Sequence, residues 1–232
     1  MLKGARIPGF MTTAEASAAS GLSAHRIGCL ARAGEIDAAK SGNTILVDAA
    51  SLQSYVTANQ GRGRPMDART AYAALWLLSG LEADWLSYAQ SRRLRLRLQS
   101  ASAESLSWQL RKRAATRRYR ASESFLGSVA GSLALSGASS GRLAEFGLLQ
   151  AGGRIEGYCL ESEADGLEAS FFLAEDPHGN VVLHVAPWLP DGARGEMPIA
   201  ATAADLAQSM DAREREAGLE MLRRLLDEHR DV

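Results

Sequence analysis

Residues 12–56 read TTAEASAASGLSAHRIGCLARAGEIDAAKSGNTILVDAASLQSYV. Thr12-Thr13-Ala14-Glu15 has capping-box spacing: the Thr12 hydroxyl accepts from the third amide of a helix, and Glu15 reaches back to the Thr12 amide. An alanine-rich helix follows to about Ser20, and Gly21 supplies the left-handed residue that stops it. Ser23 caps a second helix over Ala24–Ala33, which Gly34 ends. In that helix Ile27, Leu30 and Ala31 fall on one stripe, leaving Ala24, His25, Arg26, Gly28, Cys29 and Arg32 outward. Lys40-Ser41-Gly42-Asn43-Thr44 is the polar tip of a hairpin whose returning strand is Ile45-Leu46-Val47. After Asp48, Leu52, Tyr55 and Val56 mark the inner side of a helix over about Ser51–Ala58.

Two helices with a glycine-containing turn, a hairpin and a closing helix add up to a winged helix-turn-helix. The second helix of such a motif reads base edges with its N-terminal residues, here His25 and Arg26, and Gly28 is small enough for close approach to a groove. The stretch resembles the MerR/excisionase-type DNA-binding domain in order and spacing. The matching marks are T-x-x-E-A, G-L-S at the turn, I-x-x-L-x-x-x-G-x-I, K-x-G-x-x-x-L-V-D and S-L-x-x-Y. The resemblance implies DNA contacts at Ser23, His25, Arg26 and Arg32, with Lys40, Asn43 and Thr44 in the wing. It departs from the family at Gly28-Cys29, where such helices often carry an aromatic or polar pair. A domain of this class that binds protein in place of DNA is the alternative.

Gln60-Gly61-Arg62-Gly63-Arg64-Pro65 follows. It reads as a linker over 60–66, or as an arm placing Arg62 and Arg64 in a narrow minor groove, where arginine inserts well. Beyond it, helices are expected over Asp67–Leu78, Glu82–Leu98 and Glu104–Tyr119, with Trp76, Trp85 and Trp108 in the core. Residues 92–120 carry Arg92, Arg93, Arg95, Arg97, Arg111, Lys112, Arg113, Arg117, Arg118 and Arg120 against the single acid Glu104. Arg92, Arg93 and Arg97 are assigned to DNA phosphates, which supply affinity without sequence information. The other use of such a face is to dock an acidic partner, including the C-terminal half of this chain. Arg93–Leu98 alternates with period two, which also fits a strand; its helical surroundings favour a helix.

The charge is strongly divided. Residues 1–120 hold 18 Lys+Arg against 8 Asp+Glu, a net +10, whereas residues 121–232 hold 8 against 19, a net −11. Such asymmetry points to different partners for the two halves. In the acidic half, Arg142–Phe146 reads as a short helix. Ile155–Leu160, Leu167–Leu173 and Val181–Val185 read as an antiparallel meander with turns at Glu163–Gly166 and Asp176–Asn180. Helices follow over Ala203–Ser209 and Asp211–Glu228. No nucleophile–base set, metal-ligand spacing or phosphate-cradling loop stands out, so no catalytic residue, cofactor or metal is expected, and His184 reads as structural. Two distant cysteines, Cys29 and Cys159, suit free thiols in a reducing compartment. No apolar run reaches the ~20 residues of a bilayer span.

The expected fold class is α+β and mainly helical: a winged helix-turn-helix over 1–59, a linker over 60–66, a basic helical domain over 67–120 and an acidic α+β domain over 121–232 with a small antiparallel sheet. More loosely, the chain resembles antitoxins encoded beside nucleotidyltransferase-fold toxins of the abortive-infection class. The features that carry this are GRP before a Trp-bearing helix, the arginine-rich pair, LSGASSGRLAEFGL, P-x-G-N-V-V-L and ADLAQS-x-D-A-R-E-R-E-A-G. That resemblance implies that the protein represses its own operon and restrains a partner toxin; the expected location is cytoplasmic and nucleoid-associated. The expected partners are double-stranded operator DNA, a toxin protein and a second copy of this chain, with no membrane. The alternative is a free-standing regulator or phage-type accessory factor with a C-terminal dimerisation or sensing domain.

Overall fold

Thr12 caps its helix as the spacing predicts. Its hydroxyl accepts from the Glu15 amide at 3.2 Å and the Glu15 carboxylate takes the Thr12 amide at 2.9 Å. The computed structural model describes residues 9–32, 34, 36–42, 44–59, 64–150, 152–191, 193 and 195–230. It divides into two compact units, Met1–Gly63 and Arg64–Val232. The described residues are α+β, with about half in helices and two sheets.

The first unit runs β1 (Phe10–Thr12), α1 (Thr13–Ser20), α2 (Ala24–Arg32), β2 (Ala38–Ser41), β3 (Thr44–Asp48) and α3 (Ala49–Asn59). Its sheet is antiparallel in the order β1-β3-β2. The three-residue β1 was not expected; it pairs Phe10 with Asp48 and so closes the sheet around β3. Gly21 is left-handed as expected, at φ 70°. Ala16, Ile27, Leu30, Ile36, Val47 and Leu52 form the core, with Ala31, Tyr55 and Val56 packed against it.

The second unit begins with α4 (Ala68–Leu78), capped by Asp67 and buried at every position from Ala71 to Leu78. A helix apolar all round belongs in the middle of a bundle. Around it pack α5 (Tyr88–Gln99), α6 (Ala103–Leu110), α9 (Ile199–Leu206) and α10 (Ala212–Arg230). Trp76 and Trp85 join Tyr72, Tyr158 and Trp188 in edge-to-face contacts within this core. In α5, Leu94 and Leu98 are buried one turn apart while Leu96 is exposed, which settles the period-two stretch as helix.

The expectation of helix to Tyr119 is corrected. The helix stops at Leu110, and Ala115–Arg120 is a strand, β4. The three-stranded meander is corrected as well. A five-stranded mixed sheet forms from β4, β5 (Ala134–Leu135), β6 (Ile155–Leu160), β7 (Ala174–Glu175) and β8 (Val181–Ala186) in the order β5-β6-β8-β4-β7. β6 and β8 run parallel, so a crossover must join them. That crossover includes α8 (Glu161–Ser170), where a turn and a strand were expected. Gly166 in its middle reads locally as a turn, yet Ala164, Leu167 and Phe171 pack inward at helical spacing, and packing outweighs propensity. β4 sits between β7 and β8, so the turn at Asp176–Asn180 does not join paired strands.

The sheet alternates its faces. Cys159, Val181, Leu183 and Val185 face α7 (Glu123–Gly131) and α8, whereas Tyr158 and Ala186 belong to the helical core. Burial pushes the Cys159 thiol up to about 11. On the helical side α9 and α10 meet at Gly218, where an added Cβ would lie 2.3 Å from the Ala207 nitrogen and 2.6 Å from the Ala203 oxygen. Because both atoms are backbone, neither can yield. Gly218→Ala should therefore destabilise the second unit by about 1–3 kcal/mol, read as a lowered urea midpoint with far-UV circular dichroism of the native protein unchanged.

Candidate nucleic-acid interface

Helix α2 presents its first turn to solvent. Ser23 Oγ accepts from the Arg26 amide at 3.2 Å, starting the helix so that Ile27 and Leu30 turn into the core. Ser23, His25, Arg26 and Arg32 are all exposed, as are Lys40 and Thr44 on the β2–β3 hairpin. Ser41 pairs with Thr44 across a two-residue tip that Gly42 opens at φ 60°. Asn43 and Arg62 lie outside the described residues.

The exposed side chains are held by local contacts. Arg26 Nη2 donates to the Tyr55 hydroxyl on α3 at 3.2 Å. Arg32 folds back along its own helix: Nε donates to the Gly28 carbonyl at 2.9 Å and Nη2 lies 3.6 Å from Cys29 Sγ. His25 Nε2 lies 3.6 Å from the same sulfur. His25, Cys29 and Arg32 thus form one row at i, i+4, i+7. Gly28 is corrected here: it is buried, and the nearest atom to an added Cβ would be Arg32 Nη2 at 3.8 Å.

On the second unit the structure brings the predicted arginines Arg64, Arg92, Arg93 and Arg97 to one region. Arg97 Nη2 donates to the Arg64 carbonyl at 3.0 Å, joining the incoming chain to α5. Two of the strand arginines of the same basic run have other uses. Arg117 pairs with Glu168 at 3.1 Å and Arg120 with Asp176 at 2.9 Å, both acids of the C-terminal half. The Asp176 carboxyl lies below its ordinary range because the His178 amide and Arg120 favour its charge.

Arg113 goes inside. Buried with Asp205, it donates to that carboxylate through Nη2, to the Tyr158 hydroxyl through Nε at 2.7 Å, and to the Leu110 carbonyl at 3.0 Å. Asp205 also accepts from Tyr158 at 2.8 Å and from Ser136. His184 lies 3.0 Å from Glu156 and 3.6 Å from Asp205. The Glu156 carboxylate takes the Ala138 amide at 3.1 Å and lies where a side chain at Gly137, φ +53°, would have to go. Ser136, His184 and Asp205 resemble a catalytic set in composition only. Ser136 bonds the carboxylate, not the imidazole, and each group is buried and spent on its neighbours. The sequence offered one signal for this network: Asp205 is a lone acid in the alanine-rich run IAATAADL.

Comparison of the chain with protein-family models, curated proteins and solved structures gives no match in any of the three. No helix among the described residues is long and apolar enough to cross a membrane.

Burial alone would raise the Asp205 carboxyl. His184, Arg113 and the hydroxyls of Ser136 and Tyr158 outweigh it, so its value falls below the ordinary 3.8. A lowered folded value means that its stabilisation is present above the pH where the unfolded carboxyl titrates. It is lost as the pH falls through the folded value. Asp205→Asn should cost about 3–5 kcal/mol at neutral pH by leaving Arg113 buried and unpaired. Urea titrations should find that the difference from wild type narrows below pH 3.8.

Proposed function

We propose that the protein is a sequence-specific DNA-binding transcription regulator whose first unit acts as a winged helix-turn-helix. The observation that carries this is the solvent-facing first turn of α2, with Ser23, His25 and Arg26 directed away from the Ile27–Leu30 core. Helix α2 enters the major groove, where a guanidinium reads guanine by two parallel hydrogen bonds. The β2–β3 hairpin serves as the wing, with Lys40 on the phosphate backbone and Thr44 beside it. The Tyr55 hydroxyl holds Arg26 ready, so less side-chain entropy is lost on binding.

The resemblance to antitoxins extends this reading. The regulator represses its own operon, and its acidic C-terminal part restrains a nucleotidyltransferase-fold toxin. Co-purification of the product of the adjacent gene tests that extension.

Arg26→Ala should lower discrimination between operator and random duplex by about 10- to 100-fold in the affinity ratio. Tyr55→Phe, which removes only the hydroxyl, should reduce it far less. The measurement is fluorescence anisotropy on fragments recovered by genomic selection; an Arg26→Ala protein as selective as wild type would refute the assignment of α2.

A further inference from the structure

Residues 64–120 hold 12 Lys+Arg against 4 Asp+Glu, a net +8, whereas residues 1–63 hold 6 against 4. Most of the basic charge therefore lies on the second unit, outside the domain read as the sequence reader. Much of it is consumed there. Arg113, Arg117 and Arg120 are paired with acids, Arg69 lies over the Trp188 ring at 4.7 Å and Arg111 over Trp108 at 3.2 Å.

We propose that Arg64, Arg92, Arg93 and Arg97 form a second, sequence-independent contact to the phosphates of duplex DNA. All four are exposed, and among the described residues no ion pair reaches them. Leu94 and Leu98 fix the rotation of α5, which leaves 92, 93 and 97 on its outer half. Helix α5, YAQSRRLRLRLQ, contains no acid. Two of the guanidiniums are oriented without being neutralised: Arg97 donates to the Arg64 carbonyl at 3.0 Å and Arg93 Nε to the Ala89 carbonyl at 3.1 Å. The remaining N–H groups form the planar fork that matches a phosphate.

Duplex DNA fits this face better than an acidic protein does. Protein interfaces gather apolar side chains at the centre. Here the only exposed large apolar side chains are Tyr88 and Leu96, four residues either side of Arg92, so the face carries two separate apolar side chains among its cations and no apolar centre. The proposal rests on the DNA-binding reading only for the identity of the ligand, and operator recognition by α2 plays no part in it.

The test uses the full chain and a short random-sequence duplex without an operator, with the association constant measured from low to moderate salt. Replacing all four arginines by alanine should lower the salt slope by about 3 to 4 and weaken binding by more than about tenfold at low salt. The four Arg→Lys replacements should keep most of the slope. Arg142→Gln, which removes a cation already paired with Glu145 at 3.6 Å, should leave it unchanged. An unaltered slope in the quadruple alanine variant would overturn the proposal and leave the face to an acidic protein partner. Discrimination for operator in the same variant reports separately on α2.

Discussion

The carboxylate of Asp205 is the constraint on which the second unit turns. It receives Arg113 from the segment entering β4, Tyr158 from β6 and Ser136 from the loop after β5. One buried anion thereby fixes α9 against three parts of the sheet. Such an arrangement contributes little net energy, because desolvating the charges offsets their attraction. What it imposes is register. Tyr158 and His184 are directly paired across the parallel β6–β8 ladder and stack at 4.7 Å, so a slip of one residue would move both to the α7–α8 side.

Part of the divided charge of the chain is met within the second unit by the Arg113–Asp205 pair and two others. The front half is basic and the back half acidic, yet both contribute to one sheet. Arg113, Arg117 and Arg120 meet Asp205, Glu168 and Asp176 across about 50 to 90 residues of sequence. Part of the asymmetry is therefore internal pairing. The arginines of α5, one helix earlier, have no such acids, and the contrast between the two groups appears only after folding.

For the same reason residues 67–120 and 121–232 share a single compact unit. Strand β4 lies between β7 and β8, so the end of the basic run is an interior strand of the sheet whose other members are acidic in origin. The three-layer order follows: helices α4, α5, α6, α9 and α10 on one face of the sheet, α7 and α8 on the other.

The sequence alone determined the elements of residues 12–56. Capping, left-handed glycines and apolar spacing are local, and each acts within one or two turns of the residue that carries it. On those grounds His25, Arg26 and Arg32 were legible as outward residues of α2, whereas Ser23, Lys40 and Thr44 joined them as a set only through the family resemblance. Only the tertiary structure decided β4, α8 and the parallel β6–β8 pair. A strand takes its hydrogen bonds from distant chain, and Gly166 in α8 is overruled by packing that its neighbours in sequence do not encode. It decided, too, which arginines remain unpaired, since a charge is neutralised by whatever lies beside it in space.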